Sequence, residues 1–356
     1  MKTLDRYITG HVMRTTTAVI LVLLALISLF ALFEEFDDSE AAYGVKEAFK
    51  YILQTMPRRL DEIVVYGLFL GCLISLGHLA ETNELTICRI SGMSPLRLML
   101  ALAPTLIFWL AISTAMSEFI APASERSAEV DKLAAINGDN TLERRRALWV
   151  RTGPMYMQVR AIEENGTIHG ITQYWLNDNN ELVETIQAER GKFDAVAQQW
   201  NLLNGSHTRL TLDSANSETF YARTWDNPIT PEVLASQAFL DANKMSMMDL
   251  DRQIDFGKTQ LLGTSEYQLA FWSRILRPLT FIGLTLLALG IVLGPLRQVG
   301  MGLRLTIGIF AGLGFQYLQD LFAPAAIVFN IPAYIAILIP IAAYWLTALF
   351  LIRRYA

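Results

Sequence analysis

The sequence predicts an α-helical membrane protein: six transmembrane helices in two groups of three, with a β-rich domain inserted between the groups. Three observations carry this. The chain has 356 residues, 53% hydrophobic and only 18% charged, whereas a soluble domain carries about 25% charged residues. The charges are missing from several runs of the length needed to cross the hydrocarbon of a bilayer, about 20 apolar residues. From about residue 121 to 270 the pattern changes to short alternating segments divided by turn signals. The net charge of -5 argues against a nucleic-acid partner. The 2 cysteines exclude a disulfide-stapled scaffold, and the apolar excess excludes disorder.

The charge-free runs are Thr15–Phe33, Ile63–Ala80, Leu98–Ser117, Pro278–Leu296 and Leu305–Gln319. A last apolar run, Leu321–Ile352, is too long for one plain span. Pro324, Asn330 and Pro332 predict a loop, with the sixth helix from about Ala333 to Ile352. The first run exceeds the core of a signal peptide, about 7–15 residues. The acidic stretch Glu34-Glu35-Phe36-Asp37-Asp38 follows it in place of a small-residue cleavage site. Short loops on one side carry Lys2, Arg6, Arg14, Arg89, Arg97, Arg297, Arg304, Arg353 and Arg354. The loop at about 34–62 and the last outer loop are richer in acids. Basic residues stay inside, so both termini are expected in the cytoplasm and the insert outside.

Within the insert, Ser124–Asn137 reads as a polar helix continuing from the third span. Strands are expected at Met155–Val159, Ile168–Leu176, Glu181–Arg190, Lys192–Val196, Trp200–Leu203, Thr208–Leu212 and Thr219–Trp225. Asn165-Gly166 is a hairpin signal between the first two. Short strands at this spacing suggest a sandwich or jelly roll. Arg209, Thr211 and Asp213 alternate cleanly with Leu210 and Leu212, while Ile168, Ile171 and Tyr174 alternate imperfectly. One face is therefore polar, and the other closes a core or binds something apolar. Ser246-Met247-Met248-Asp249 resembles a capping box that starts a returning helix.

No catalytic constellation emerges. Gly257-Lys258-Thr259 imitates the end of a phosphate-binding loop, but Arg252 stands where its first glycine belongs. His11, His78, His169 and His207 lack metal-ligand spacing. His78 reads as an interfacial residue, with a proton carrier as the alternative. Cys72 and Cys88 read as packing residues. Energy for any transport cycle should therefore come from a partner. Gly67/Gly71, Gly290/Gly294 and Gly308/Gly312 each put two glycines on one helix face, which permits close helix approach in lipid. That approach can occur within the chain or against a partner. The segment from Ala80 to Gly92 combines an apolar stripe, Leu85 and Cys88 with Ile87, and the acids Glu81 and Glu84 on a neighbouring face. It reads either as a short amphipathic helix that docks on another protein or as a simple connector. Ser94-Pro95-Leu96-Arg97 and Gly294-Pro295-Leu296-Arg297 echo one another ahead of the third and fifth spans.

Taken together, these motifs resemble the LptF/LptG permeases of the lipopolysaccharide exporter, closest to the G-type members. The features are Leu4-Asp5-Arg6-Tyr7-Ile8, Glu84-Leu85 with Ser91-Gly92, Ala121-Pro122, Tyr267-Gln268-Leu269 with Trp272-Ser273, and Gly294-Pro295-Leu296-Arg297 with Met301-Gly302 and Arg304. The layout covers the whole chain, and the order and spacing of the motifs make the likeness specific. The resemblance implies transmembrane helices 1–3 in residues 1–122, with a cytoplasmic coupling helix at about 80–92. It implies a periplasmic domain over 123–270, with a β-jelly roll at about 147–226, and helices 4–6 over 271–356. It implies a non-catalytic permease of the bacterial inner membrane, paired with an LptF-type permease and driven by a cytoplasmic LptB-type ATPase dimer. ATP and Mg are used by that ATPase, and no cofactor is bound directly. An LptC-type subunit and a periplasmic bridge receive the lipopolysaccharide, extracted from the outer leaflet.

The resemblance assigns ATPase coupling to Glu84, Leu85, Glu81 and Arg89, with Glu84 matching the family's acidic position. Lys132 and Arg126 are the expected contacts to lipopolysaccharide phosphates. Glu34 departs from the family, standing where members carry a basic residue. A membrane-anchored scaffold or chaperone, whose β domain binds a partner, is the alternative. An ATPase among the proteins that purify with the chain would separate the two.

Overall fold

The computed structural model describes residues 2–37, 44–137, 148–162, 166–177, 179, 181–195, 197–211, 214–225, 230–231, 234, 241–259, 263–294, 300–329 and 331–355. The chain divides into two compact units. One comprises residues 1–38, 48–125 and 268–356, and the other residues 39–47 and 126–267.

The first unit is helical. Its elements are α1 (Lys2–Asp37), α2 (Val45–Glu81), α3 (Glu84–Ile90) and α4 (Pro95–Ala115), followed by a π-helical turn (Met116–Ile120) and α5 (Ala121–Asn137), which runs on into the second unit. Ser94 caps α4, its hydroxyl accepting from the Arg97 N–H at 3.3 Å, and Pro95 occupies the first turn, where no N–H is needed. Along α1, Ile8, Val12, Thr16 and Ile20 are buried at a four-residue spacing. This stripe meets Gly67 and Gly71 of α2: a Cβ at Gly71 would lie 2.5 Å from the Thr16 Cα, and one at Gly67 would collide with Ile20. The other side of α1 leaves Val22, Phe30 and Phe33 exposed, as a lipid-facing surface would be.

With the helix of the second unit at Met247–Thr259 taken as α6, the remaining helices are α7 (Ser265–Ile275), α8 (Arg277–Leu293), α9 (Met301–Val328) and α10 (Ala333–Tyr355). Four helical stretches, Thr3–Phe36, Val45–Glu81, Pro95–Lys132 and Ala333–Arg354, are long and apolar enough to cross a membrane. The pair α7 and α8, bent by 55° at its break, adds a fifth. Among the described residues α9 does not join them. At 28 residues it is long enough to span, but Gln316, Gln319 and Asp320 interrupt its apolar run. It also continues through Pro324, where the sequence predicted a loop. Pro324 sits within the helix, which ends at Val328, and Asn330 lies outside the described residues. The second and third glycine pairs also serve contacts inside the chain. Gly290 packs on Ala348 and Leu351 of α10, and Gly308 on Leu70 and Leu73 of α2.

The second unit contains a six-stranded antiparallel sheet in sequential order: β1 (Leu148–Thr152), β2 (Met155–Ile162), β3 (Ile168–Leu176), β4 (Leu182–Asp194), β5 (Gln199–Leu210) and β6 (Ala215–Trp225). Met155, Met157, Val159, Ile171, Ile186, Trp200 and Leu202 form its core. Two pairs of expected strands fuse. Lys192–Asp194 joins β4, while Val196 lies outside the described residues, and Trp200–Leu203 joins Thr208–Leu210 in β5. Gly191 and Gly205, which fall between the expected strands, mark close approach of neighbouring groups. A Cβ at Gly191 would lie 2.7 Å from Ile168, and one at Gly205 would strike the Gln187 carbonyl and Phe220. The imperfect alternation of β3 also has a cause. Gly170 at φ +60° kinks the strand without shifting its register, so Ile168 and Ile171 are both buried. Asn165, Leu212 and Asp213 lie outside the described residues. Ser246 opens α6 (Met247–Thr259) as the capping pattern predicts, its hydroxyl accepting from the Asp249 N–H at 3.1 Å.

Candidate functional site

The expected coupling segment is shorter than 80–92. Ala80 and Glu81 complete α2, and only Glu84–Ile90 forms the separate helix α3. Asn83, at φ 61°, ends one helix and begins the next, and Gly92, at φ 86°, ends the turn after α3. Leu85 and Cys88 point inward, 4% and 7% exposed, and join the helical core. Ile87 and Ile90, one turn apart, are exposed instead. The outward apolar surface of α3 is thus carried by the isoleucines, because the stripe that contains Leu85 is used to seat the helix. Burial pushes the Cys88 thiol pKa up, and the nearby Glu84 carboxylate adds to the shift. Glu81 is exposed and Arg89 half-buried.

Glu84 is held on both oxygens. The Tyr7 hydroxyl donates to Oε2 at 2.9 Å, and the Thr82 hydroxyl shares its one proton between Oε1 at 3.2 Å and the His78 carbonyl at 3.1 Å. Tyr7 lies on the first two turns of α1, and that end of α1 is anchored on other sides as well. Arg97 of α4 pairs with Asp5 at 3.1 Å, and Thr9 donates to the Ala101 carbonyl at 2.7 Å. His11 shares a hydrogen bond with Ser75 at 2.7 Å and stacks on His78, with ring centroids 5.6 Å apart and planes 3° from parallel. Leu4, Tyr7, Ile8, Leu79, Glu84 and Leu85 line a crevice of about 140 Å³ here.

A second polar cluster escaped the sequence reading. Asp61 of α2 is buried and pairs with Arg277, the first residue of α8, at 2.6 Å. The same guanidinium nitrogen donates to Ser113 at 3.0 Å and to Ser117 at 3.3 Å, and Ser113 donates to Asp61 at 2.6 Å. Nearby, Arg274 pairs with Glu118 at 3.0 Å. The π-helical turn carries Ser117 and Glu118, and the break between α7 and α8 separates Arg274 from Arg277, so both helix irregularities fall at this cluster. In the sequence the charged members flank the charge-free runs and Ser113 and Ser117 lie within one, without any local pattern to pair them.

Of the expected phosphate contacts, Arg126 pairs with Asp249 at 3.3 Å, and Lys132 sits half-buried on α5. Glu129 of the same helix approaches Lys244 at 4.0 Å. Glu34 is exposed, whereas Glu35 is buried.

Long apolar helices packed through glycine faces, with a β unit inserted among them, define a multi-pass membrane protein. The model of the family described as lipopolysaccharide export system permease LptF/LptG matches residues 6–354. The chain belongs to this family. It is 29% identical over 354 residues to the lipopolysaccharide export system permease protein LptG of Escherichia coli (strain K12), covering 99% of this chain and 98% of that protein. It is 25% identical over 341 residues to the LptG protein of Haemophilus influenzae, covering 96% and 95%.

Proposed function

We propose that the chain is a permease subunit of an ATP-driven exporter that takes lipopolysaccharide from the outer leaflet of the bacterial inner membrane and passes it to a periplasmic bridge. The observation that carries this reading is the family match across nearly the whole length. In it, six helices span the membrane, with α9 counted as the fifth despite its polar residues, and both termini face the cytoplasm. The six-stranded sheet lies in the periplasm and serves as the family's β-jelly-roll module. An LptF-type permease completes the transport cavity, an LptB-type ATPase dimer hydrolyses ATP with Mg, and an LptC-type subunit receives the lipid. The permease itself needs no cofactor.

Glu84 is the coupling contact in this reading, forming a salt bridge to a basic side chain of the ATPase. Glu81 and Arg89 flank it, and Leu85 supports α3 from within. Lys132 and Arg126 face lipid A phosphates, with Arg126 exchanging Asp249 for the ligand. Depleting the chain from cells tests the function: lipopolysaccharide should accumulate at the inner membrane, and its normal arrival at the outer membrane would refute the reading. Glu84→Lys should abolish export while the chain still inserts, because it sets two cations against each other. Normal transport by that variant would remove Glu84 from the coupling role.

A further inference from the structure

We propose that Tyr7 is a positioning residue for Glu84: its hydroxyl orients the carboxylate for the ATPase and hands the displacement of α3 to α1. The inference rests on Glu84 being the coupling contact. A glutamate at the start of a seven-residue helix has three side-chain torsions to restrict before it can meet a partner cation, and each restricted torsion costs affinity. Tyr7 and Thr82 hold one oxygen each. A carboxylate offers about four acceptor sites, so both oxygens keep room for an incoming ammonium or guanidinium.

The two donors differ in what they connect. Thr82 lies in the turn next to Glu84 and links the loop to itself. Tyr7 comes from α1, which is 77 residues away in sequence. The α1 end that carries Tyr7 is also tied to α4 through Asp5–Arg97 and Thr9–Ala101, and to α2 through His11–Ser75 and His11–His78. A pull on Glu84 therefore acts on a helix held at several points, not on a loop that yields. From there α1 runs as one helix to Asp37, with the Thr16 and Gly71 backbones in close contact. The phenol ring of Tyr7 is half exposed, and its hydroxyl is the part that reaches Glu84.

The test uses the complete export complex reconstituted in proteoliposomes with lipopolysaccharide, reading both ATP hydrolysis and lipopolysaccharide release. Tyr7→Phe should lower the lipopolysaccharide released per ATP by about three- to tenfold, the range of an ordinary net hydrogen bond, since this one is exposed, with assembly and Tm of the complex unchanged. p-Aminophenylalanine at position 7 restores a donor and should recover the ratio. Glu84→Gln should lower the ratio too, and adding Tyr7→Phe to it should lower it no further. Native coupling in Tyr7→Phe beside a defective Glu84→Gln overturns the role of Tyr7 and leaves that of Glu84. Additive losses overturn the link between the two residues. Native coupling in Glu84→Gln overturns the coupling contact itself, and the role of Tyr7 with it.

Discussion

Arg277→Met is the sharpest perturbation of the helical unit. Methionine keeps much of the arginine stem and removes the guanidinium. The Asp61 side chain, only 3% exposed, then keeps the Ser113 hydroxyl and loses its counter-charge. Unit charges at the observed 2.6 Å attract by about 6 kcal/mol at an effective dielectric of about 20. Much of that attraction offsets the desolvation of the pair, so the pair adds little net stability. Removing one partner is different, because the other stays buried and uncompensated, at a cost of about 3–5 kcal/mol. Unfolding of the purified chain in mixed micelles, titrated with a denaturing detergent and followed by helical circular dichroism, reads this cost. Adding Asp61→Asn to Arg277→Met should recover part of the loss, about 1–3 kcal/mol, since no charge remains stranded. A loss below about 1 kcal/mol for Arg277→Met, or a double variant less stable than the single one, would refute the reasoning.

Gly71→Ala should lower stability by about 1–3 kcal/mol, read as a lower Tm, because the new methyl meets the Thr16 backbone at 2.5 Å. Gly312→Ala, whose nearest neighbour atoms lie at 3.8 Å, should be close to neutral in the same measurement. Cys88 should react slowly with iodoacetamide at neutral pH. Burial and the nearby Glu84 raise its pKa, so the reactive thiolate gains population only at a pH above the usual thiol range. Glu84→Gln removes one of these causes and should speed alkylation at a fixed alkaline pH, and an unchanged rate would count against the electrostatic contribution.

Much of the architecture was legible in the chain because it depends on composition over long windows. Charge-free runs mark apolar helices whatever their neighbours are, and alternating segments mark the sheet. The glycine pairs were visible too, but their partners were not. Gly67 and Gly71 meet Ile20 and Thr16, and nothing in a sequence pattern names those residues. Errors arose where one residue type serves two purposes. Gly191 and Gly205 fall between expected strands, whereas strands pass through them where another side chain or backbone comes close. Pro324 read as a break, yet it sits inside a helix.

The candidate site divides in the same way. Glu84 stood out because the resemblance matches it to the family's acidic position in the cytoplasmic loop. Its bond to Tyr7 did not, nor did the assembly of Asp61, Ser113, Ser117 and Arg277 from three separate helices. By itself the sequence determined the membrane helices, the inserted β unit and the family, all of which follow from local hydrophobicity and motif order. Only the tertiary structure decided which polar groups meet. A buried charge must find a partner wherever the packed helices bring one, and that place is set by helix geometry, not by distance along the chain.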